Sequence, residues 1–139
     1  MVRIRYIAVF LLLFLTLTGC GQQLDPFTMH VEDDNETALQ IDLIAVSDNA
    51  VGAMLHSAGG AGWFSDKQAF LAGYSGNIAV RHYELVPGYV SAEMRWPSLS
   101  DATMFMIAIN YPDQPRFMAM DAYSVRKIIV GKCGIEVQT

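Results

Sequence analysis

The chain has 139 residues, of which 53% are hydrophobic and 17% are charged, and its formal net charge is −5 at pH 7. This length fits one domain, and the composition is too apolar for a disordered chain. The acidic balance argues against a nucleic-acid partner, because displacing the counterions of a phosphate backbone requires an excess of cations. Two cysteines are too few for a disulfide framework.

The first 20 residues have the layout of a secretory signal. Arg3 and Arg5 precede an unbroken apolar run over residues 6–15, and small residues follow it. The run is too short for a spanning helix, which needs roughly 20 apolar residues. If Cys20, at the end of this segment, is there by chance, the segment is an ordinary signal peptide. A short membrane anchor that is not cleaved is the other alternative.

Leu17-Thr18-Gly19-Cys20 resembles the lipobox of bacterial lipoproteins. The resemblance implies that residues 1–19 form a signal peptide that is removed just before Cys20, and that Cys20 is acylated on its sulfur and on its new amino terminus. Several acyl chains together hold a protein on a bilayer almost permanently. Gly21, rather than an aspartate, follows the cysteine. By the same resemblance, this position implies sorting to the periplasmic face of the outer membrane.

An acidic stretch follows the cysteine. Removal of residues 1–19 takes away two arginines and no acid, which leaves a formal net charge of −7. Five of the acids fall within residues 22–37, and they are Asp25, Glu32, Asp33, Asp34 and Glu36. We predict that this stretch is an extended, solvated tether. The expected organisation is a lipidated cysteine with an acidic tether over 20–37 and one domain over 38–139.

The sequence pattern of the domain predicts mainly β-strands. Runs rich in aliphatic residues or with alternating hydrophobicity predict strands over residues 39–47, 78–86, 89–96, 103–110, 123–130 and 135–138. Pro87 and Gly88 suit the central positions of a type II turn, so the second and third strands are expected to pair as neighbours. In residues 89–96 the pattern predicts that Val90, Met94 and Trp96 face the core. The last two strands should form a closing hairpin.

One short helix interrupts the strands. Ser65 and Gln68 fit a capping box, which predicts a helix of about two turns over residues 66–72 that docks on the sheets through Phe70 and Leu71. A second short helix over residues 50–56 has weaker support, and the glycines of residues 59–62 are expected to form a flexible loop. The expected fold is mainly β: a small two-sheet β-sandwich with a short helical insertion.

The search for catalytic or metal-binding motifs finds none. His30, His56 and His82 lack the spacing of a zinc site. Cys133 has only Lys132 as a basic neighbour in its turn, so we expect it to be a half-buried structural thiol rather than a nucleophile. The sequence therefore predicts a protein that is not an enzyme and that has no metal and no cofactor.

The strand order and several short motifs resemble the outer-membrane lipoproteins of type VI secretion systems (the TssJ/SciN family). The matching segments are Ile41–Val46, Trp63-Phe64, Ala69–Leu71, Glu84–Gly88 and Ile107–Asp113. Two features depart from that family's pattern. The extra strand that it usually has before the early strand is not expected here, and Arg116-Phe117 stands where it usually has Trp-Arg.

This resemblance implies a transthyretin-like sandwich with an architectural role. The lipoprotein would fix the outer-membrane end of a secretion channel by docking on the periplasmic domain of an inner-membrane subunit. The insertion over residues 57–76 is the nearest match to the family's contact loop, so Trp63 and Phe64 are the expected partner-binding anchors. A ligand- or enzyme-binding envelope lipoprotein, such as an inhibitor or a pilotin-like assembly factor, is the alternative. A small envelope hydrolase is a third hypothesis.

Overall fold

The computed structural model describes residues 23–91 and 93–139. The predicted signal peptide and Cys20 lie outside the described residues. In chain order the elements are β1 (Thr28–Val31), β2 (Leu39–Val46), α1 (Asn49–Gly73), β3 (Ile78–Leu85), β4 (Met104–Asn110), β5 (Arg116–Met120), β6 (Lys127–Val130) and β7 (Ile135–Gln138).

The strands form two sheets, which confirms the mainly β sandwich. One sheet has four antiparallel strands in the order β3-β2-β4-β5. The other has three strands in the order β1-β6-β7, in which β1 runs parallel to β6. The four-stranded sheet lies in the middle, with the smaller sheet on one face and α1 on the other.

The central strands β2 and β4 are buried on both faces of the four-stranded sheet, and this explains the nearly continuous apolar run of β2. Leu39, Ile41 and Leu43 belong to the core between the two sheets. Ile44 and Val46 belong to the second core, beneath α1. A strand that is covered on both faces has no solvent side and therefore loses the polar half of the usual alternation.

The helical insertion is longer than the sequence predicted. α1 spans 25 residues and begins after Asp48, whose carboxylate accepts hydrogen bonds from the backbone N–H groups of Ala50 and Val51. It joins the two predicted helices through the expected flexible loop, and that loop prediction is wrong. Gly59 has a φ of 67°, and this left-handed residue kinks α1. At Gly60 a Cβ would lie 2.6 Å from the Pro115 carbonyl carbon, so only glycine permits this close approach.

The prediction of a solvated tether is wrong for the second half of the acidic stretch. β1 lies within it, and Met29 and Val31 are fully buried in the core between the sheets. Phe27 is also buried, so alternate residues from 27 to 31 face inward. Acidic residues lie on both sides of this alternating pattern and dominate the composition of the stretch. The strand was therefore not recognised from the sequence.

Residues 89–96 do not pair with β3, so that part of the strand prediction is wrong. Pro87 and Gly88 do form the predicted turn: Tyr89 N–H donates to the Val86 carbonyl at 3.1 Å, and Gly88 has a φ of 79°. The chain then crosses to the other sheet, where isolated bridges join it to Phe27 and His30 of the β1 region. Because the segment is irregular, Val90 is 65% exposed rather than buried.

The closing hairpin is confirmed, although β6 begins four residues later than predicted because a turn at Asp121 precedes it. Cys133 lies in the β6–β7 turn and is exposed, which corrects the expected half-buried thiol. Within the part of the chain that the structure describes, no helix is both long enough and apolar enough to cross a membrane.

Candidate functional site

Trp63 does not lie on the surface where the sequence analysis placed it. Its side chain has 0% exposure and stacks on Phe70 at a ring-centroid distance of 6.1 Å. Phe64 is half-buried and packs against the same core beneath α1. The predicted exposure of Trp63 is therefore wrong, because its indole fills the space between α1 and the sheet. In that space the indole forms a hydrogen bond to a charged side chain.

Trp63 contacts a fully buried carboxylate. Its Nε1–H donates to Oδ2 of Asp42 at 2.7 Å, and Asp42 has 0% exposure. Lys67 Nζ lies 2.9 Å from the same oxygen, and His82 Nδ1 lies 2.5 Å from Oδ1. Since an ionised carboxylate only accepts, His82 Nδ1–H donates to it. Three donors therefore satisfy the carboxylate, and Lys67 supplies the compensating charge.

We call Asp42, Trp63, Lys67 and His82 the Asp42 cluster. The pairing of β2 with β3 and the spacing of residues along α1 bring these four side chains together. Asp42 and His82 are directly opposite on β2 and β3, so they share the face beneath α1. Trp63 and Lys67 are four residues apart in α1 and therefore lie on one side of the helix. The sequence analysis predicted both strands but left their register open, and it assigned His82 only as a partly exposed sheet residue. A buried acid inside an apolar strand was the signal that could have found the cluster.

The Asp42 cluster has the groups of an acid–base site but no nucleophile. Within the described residues, His82 Nδ1–H donates to Asp42, Lys67 Nζ lies 3.4 Å from the same nitrogen, and no hydrogen bond joins His82 to a serine, threonine or cysteine. Cys133 lies in a turn of the other sheet. No group of three metal-ligating side chains occurs in residues 23–91 and 93–139, so the three histidines are not gathered into a metal site. The cluster fits a clamp that holds α1 on the sheet.

A second polar contact joins the sheets near the β6–β7 turn. The Tyr111 hydroxyl donates to the Gly131 carbonyl at 2.8 Å, and burial raises the pKa of this phenol to about 12. Lys132 and Glu36 form an exposed ion pair with an N–O distance of 2.6 Å. The Lys132 ammonium lowers the pKa of Glu36, first through their hydrogen bond and then through charge attraction. Both contacts tie the β6–β7 turn to neighbouring loops.

The type II turn after β3 carries a cluster of exposed apolar side chains. Val86 is 58% exposed, Tyr89 38% and Val90 65%. Asp33, in the β1–β2 loop, lies beside the turn, since a Cβ at Gly88 would meet its carboxylate at 2.4 Å. We call Val86, Tyr89, Val90 and Asp33 the distal tip, because the turn adjoins the end of β1 at Val31, away from where the chain enters the domain. An exposed apolar cluster with a charged rim is typical of an interaction surface.

No family model matches the sequence, and no curated protein matches it. Solved structures do match. Lip of Serratia marcescens, a membrane-bound component of the type VI secretion system, has a TM-score of 0.56 at 11% identity, over 83% of this chain and 96% of that one. The type VI secretion lipoprotein TssJ1 of Pseudomonas aeruginosa has a TM-score of 0.55 at 13% identity, over 82% and 95%. A chain of a type VI membrane complex has a TM-score of 0.58 at 18% identity, over 84% and 100%.

This protein has the fold of type VI secretion lipoproteins. The match covers nearly the full length of each of the three structures, so the sandwich and its helical insertion belong to one shared architecture. The low identities mean that what is shared is the fold, and fold alone does not establish function.

Proposed function

We propose that this protein is a lipid-anchored periplasmic component of a type VI secretion membrane complex, which it fixes to the outer membrane. The observation that carries the proposal is the fold shared with type VI lipoproteins over 95–100% of their chains. The sequence Leu17-Thr18-Gly19-Cys20 adds the signal for a lipid anchor. Neither feature requires a reaction, and the Asp42 cluster is accounted for by its place between α1 and the sheet.

The anchor of this proposal is Cys20. Removal of residues 1–19 and acylation of the cysteine would attach the domain by its first residue, and Gly21 favours the outer membrane. In the part of the chain that the structure describes, the first core residue is Phe27. Six residues lie between Cys20 and Phe27, and a fully extended chain of seven residue steps reaches at most about 25 Å. The domain would therefore stand close to the lipid surface.

The proposed partner surface is the distal tip, and the proposed partner is the periplasmic domain of an inner-membrane secretion subunit. β1 rises about 10 Å from Thr28 to Val31, so it separates the tip from the anchored end of the domain. A surface at the far end of an anchored domain faces the periplasm. Three exposed apolar side chains beside Asp33 suit a partner patch that is apolar at its centre and basic at its rim.

Two measurements test the proposal. The mass of the native protein should correspond to a chain that begins at an acylated Cys20. An unacylated cysteine, or a chain that retains Met1, would remove the anchor. Co-purification with the inner-membrane subunit from the same cells should weaken at least tenfold when Val90 is changed to Asp. Since Val90 is 65% exposed, this change should leave the fold intact.

The matched control is Met118→Asp, a change of an apolar residue that is 37% exposed on β5. It introduces the same charge away from the tip and should leave co-purification unchanged. Equal capture by wild type and the Val90 variant would refute the distal tip as the interface. Absence of the secretion subunit from both captures would refute the proposed role.

A further inference from the structure

A partly exposed apolar surface lies at the end of the sandwich where the chain enters the domain. Leu24, Leu99 and Phe105 line one cleft there, which has a volume of about 300 Å³, and both leucines are only partly buried. Phe105 also packs edge to face against Tyr123, at a ring-centroid distance of 6.4 Å. We call Leu24, Leu99 and Tyr123 the entry patch. Phe105 is itself buried and links the cleft to Tyr123, so the three side chains form one surface.

Tyr123 is held at the surface by its own turn. Its backbone N–H accepts no freedom to move, because it donates to the Asp121 carboxylate at 3.2 Å, and its carbonyl accepts from the Arg126 guanidinium at 3.3 Å. Arg126 also pairs with Asp25, the residue after Leu24, at an N–O distance of 3.6 Å. The side chain of Tyr123 is nevertheless 48% exposed. The turn therefore fixes an exposed aromatic ring with charged side chains around it, which is the pattern of a contact surface.

The entry patch and the distal tip lie at opposite ends of β1. The backbone N–H of Thr28, the first residue of β1, donates to the Arg126 carbonyl at 3.0 Å, in the turn that holds Tyr123. The backbone N–H of Val31, the last residue of β1, donates to the Tyr89 carbonyl of the distal tip at 2.8 Å. A partner that binds the distal tip would therefore leave the entry patch uncovered.

The short segment between Cys20 and Leu24 limits how far this end of the domain can move from an anchoring lipid. Four residue steps reach at most about 14 Å when fully extended. The headgroup layer on each side of a bilayer is about 5–8 Å thick. With an acylated Cys20, Leu24 would therefore stay within about 10 Å of that layer even at full stretch. A bent segment would bring the entry patch into the layer itself.

We propose that the entry patch forms a second, noncovalent contact with the phospholipid bilayer, in which Tyr123 lies in the headgroup layer and Leu24 and Leu99 face the ends of the acyl chains. The inference rests on the proposed function, because acylated Cys20 supplies the nearby lipid surface. Tyrosine suits this position, since its ring is apolar and its hydroxyl stays in water, and it is enriched at membrane–water interfaces. A covalent and an apolar attachment together keep the domain from turning about its tether.

The test places a tryptophan reporter at each end of the domain. Tyr123→Trp reports on the entry patch, and Tyr89→Trp is the matched control, because Tyr89 is 38% exposed at the distal tip. The full-length protein is reconstituted into vesicles of phosphatidylethanolamine and phosphatidylglycerol, with and without phosphatidylcholine that carries bromine on its acyl chains. Bromine quenches only nearby indoles, and wild type gives the contribution of Trp63 and Trp96. The added tryptophan of Tyr123→Trp should lose emission in brominated vesicles, and that of Tyr89→Trp should lose none.

Ser98→Trp supplies a second reporter at the same end, because Ser98 is exposed and lines the cleft. It decides the result if urea unfolding shows that Tyr123→Trp is less stable than wild type. Absence of quenching in both variants would overturn the proposal, since the domain would then be held off the bilayer. Equal quenching in Tyr89→Trp would also overturn it, because the domain would then have no fixed orientation.

The mass measurement reports on Cys20 separately. An acylated chain whose reporters are not quenched would refute the entry patch and leave the anchor in place. An unacylated chain whose Tyr123→Trp reporter is quenched would refute the anchor and support the entry patch.

Discussion

Replacement of Asp42 tests whether the buried carboxylate holds α1 on the sheet. The Asp42→Leu variant keeps the apolar bulk but removes every acceptor in the cluster. Trp63 Nε1–H then stays buried without a partner, since the indole has 0% exposure. A buried donor that loses its acceptor costs about 1–3 kcal/mol. Lys67 also loses its partner, but its side chain is 19% exposed and can reach water, so this loss is smaller.

The expected decrease in the free energy of unfolding is about 3 kcal/mol for Asp42→Leu, since breaking a buried pair costs roughly 3–5 kcal/mol when neither group can reach water. Asp42→Asn should cost less, about 1–2 kcal/mol, because its amide oxygen still accepts from Trp63 and only the charge-assisted part of the contacts is lost. Urea unfolding followed by circular dichroism measures both values, and it avoids the tryptophan fluorescence that the substitutions disturb.

A double-mutant cycle isolates the hydrogen bond to the indole. Trp63→Phe removes the N–H, so the unsatisfied donor no longer exists when Asp42→Leu is added. The double variant should therefore be more stable than the sum of the two single losses predicts, by about 1–3 kcal/mol. Strict additivity would refute the indole–carboxylate bond. An Asp42→Leu variant within about 0.5 kcal/mol of wild type would refute the clamp itself.

Three more predictions follow from local geometry. Gly60→Ala should lower the free energy of unfolding by about 1–3 kcal/mol, because the added Cβ would meet rigid backbone. At Gly73 an added Cβ meets no atom within 4 Å, so Gly73→Ala should raise the free energy of unfolding by roughly 0.5 kcal/mol. Thermal unfolding compares the stabilities of the two variants. The pKa of Tyr111 is raised from 10.0 to about 12, so its contribution to stability is complete below pH 10 and is lost as the pH rises toward 12. Tyr111→Phe should remove that alkaline loss in urea titrations. Lys132→Gln should raise the lowered pKa of Glu36 in an NMR titration, and an unchanged pKa would refute the ion pair.

The sequence predicted the regular strands well and the long-range pairings poorly. β2, β3 and β4 lie where the sequence placed them. β2 and β4 are buried on both faces, and strands of this kind carry a nearly continuous apolar run. The segment 89–96 alternates just as cleanly but pairs with the β1 region. The cause is local: the turn at Pro87-Gly88 is a type II turn, and turns of this type splay the flanking strands rather than closing a tight hairpin.

The length of α1 is underestimated when only local sequence signals, such as a capping box, are used. A capping box at Ser65 marks a plausible start, yet α1 begins at Asn49 and passes through four glycines before it. Glycine disfavours a helix by roughly 1 kcal/mol per residue in isolation. Burial of Leu55 and Trp63 against the sheet offsets that cost, and Gly60 is small enough to let the helix approach Pro115. Tertiary contact therefore decides where α1 begins.

The placement of β1 matters most for the proposed role. A free tether over residues 20–37 would let the domain turn in any direction above the membrane. Instead, Phe27, Met29 and Val31 are fixed in the core, and Phe27 is only seven positions after Cys20. An anchor at Cys20 would then set the orientation of the domain as well as its distance from the bilayer. It would turn the distal tip toward the periplasm. A component that links a membrane to a secretion channel requires such a fixed orientation, because its two contact surfaces must be engaged at the same time.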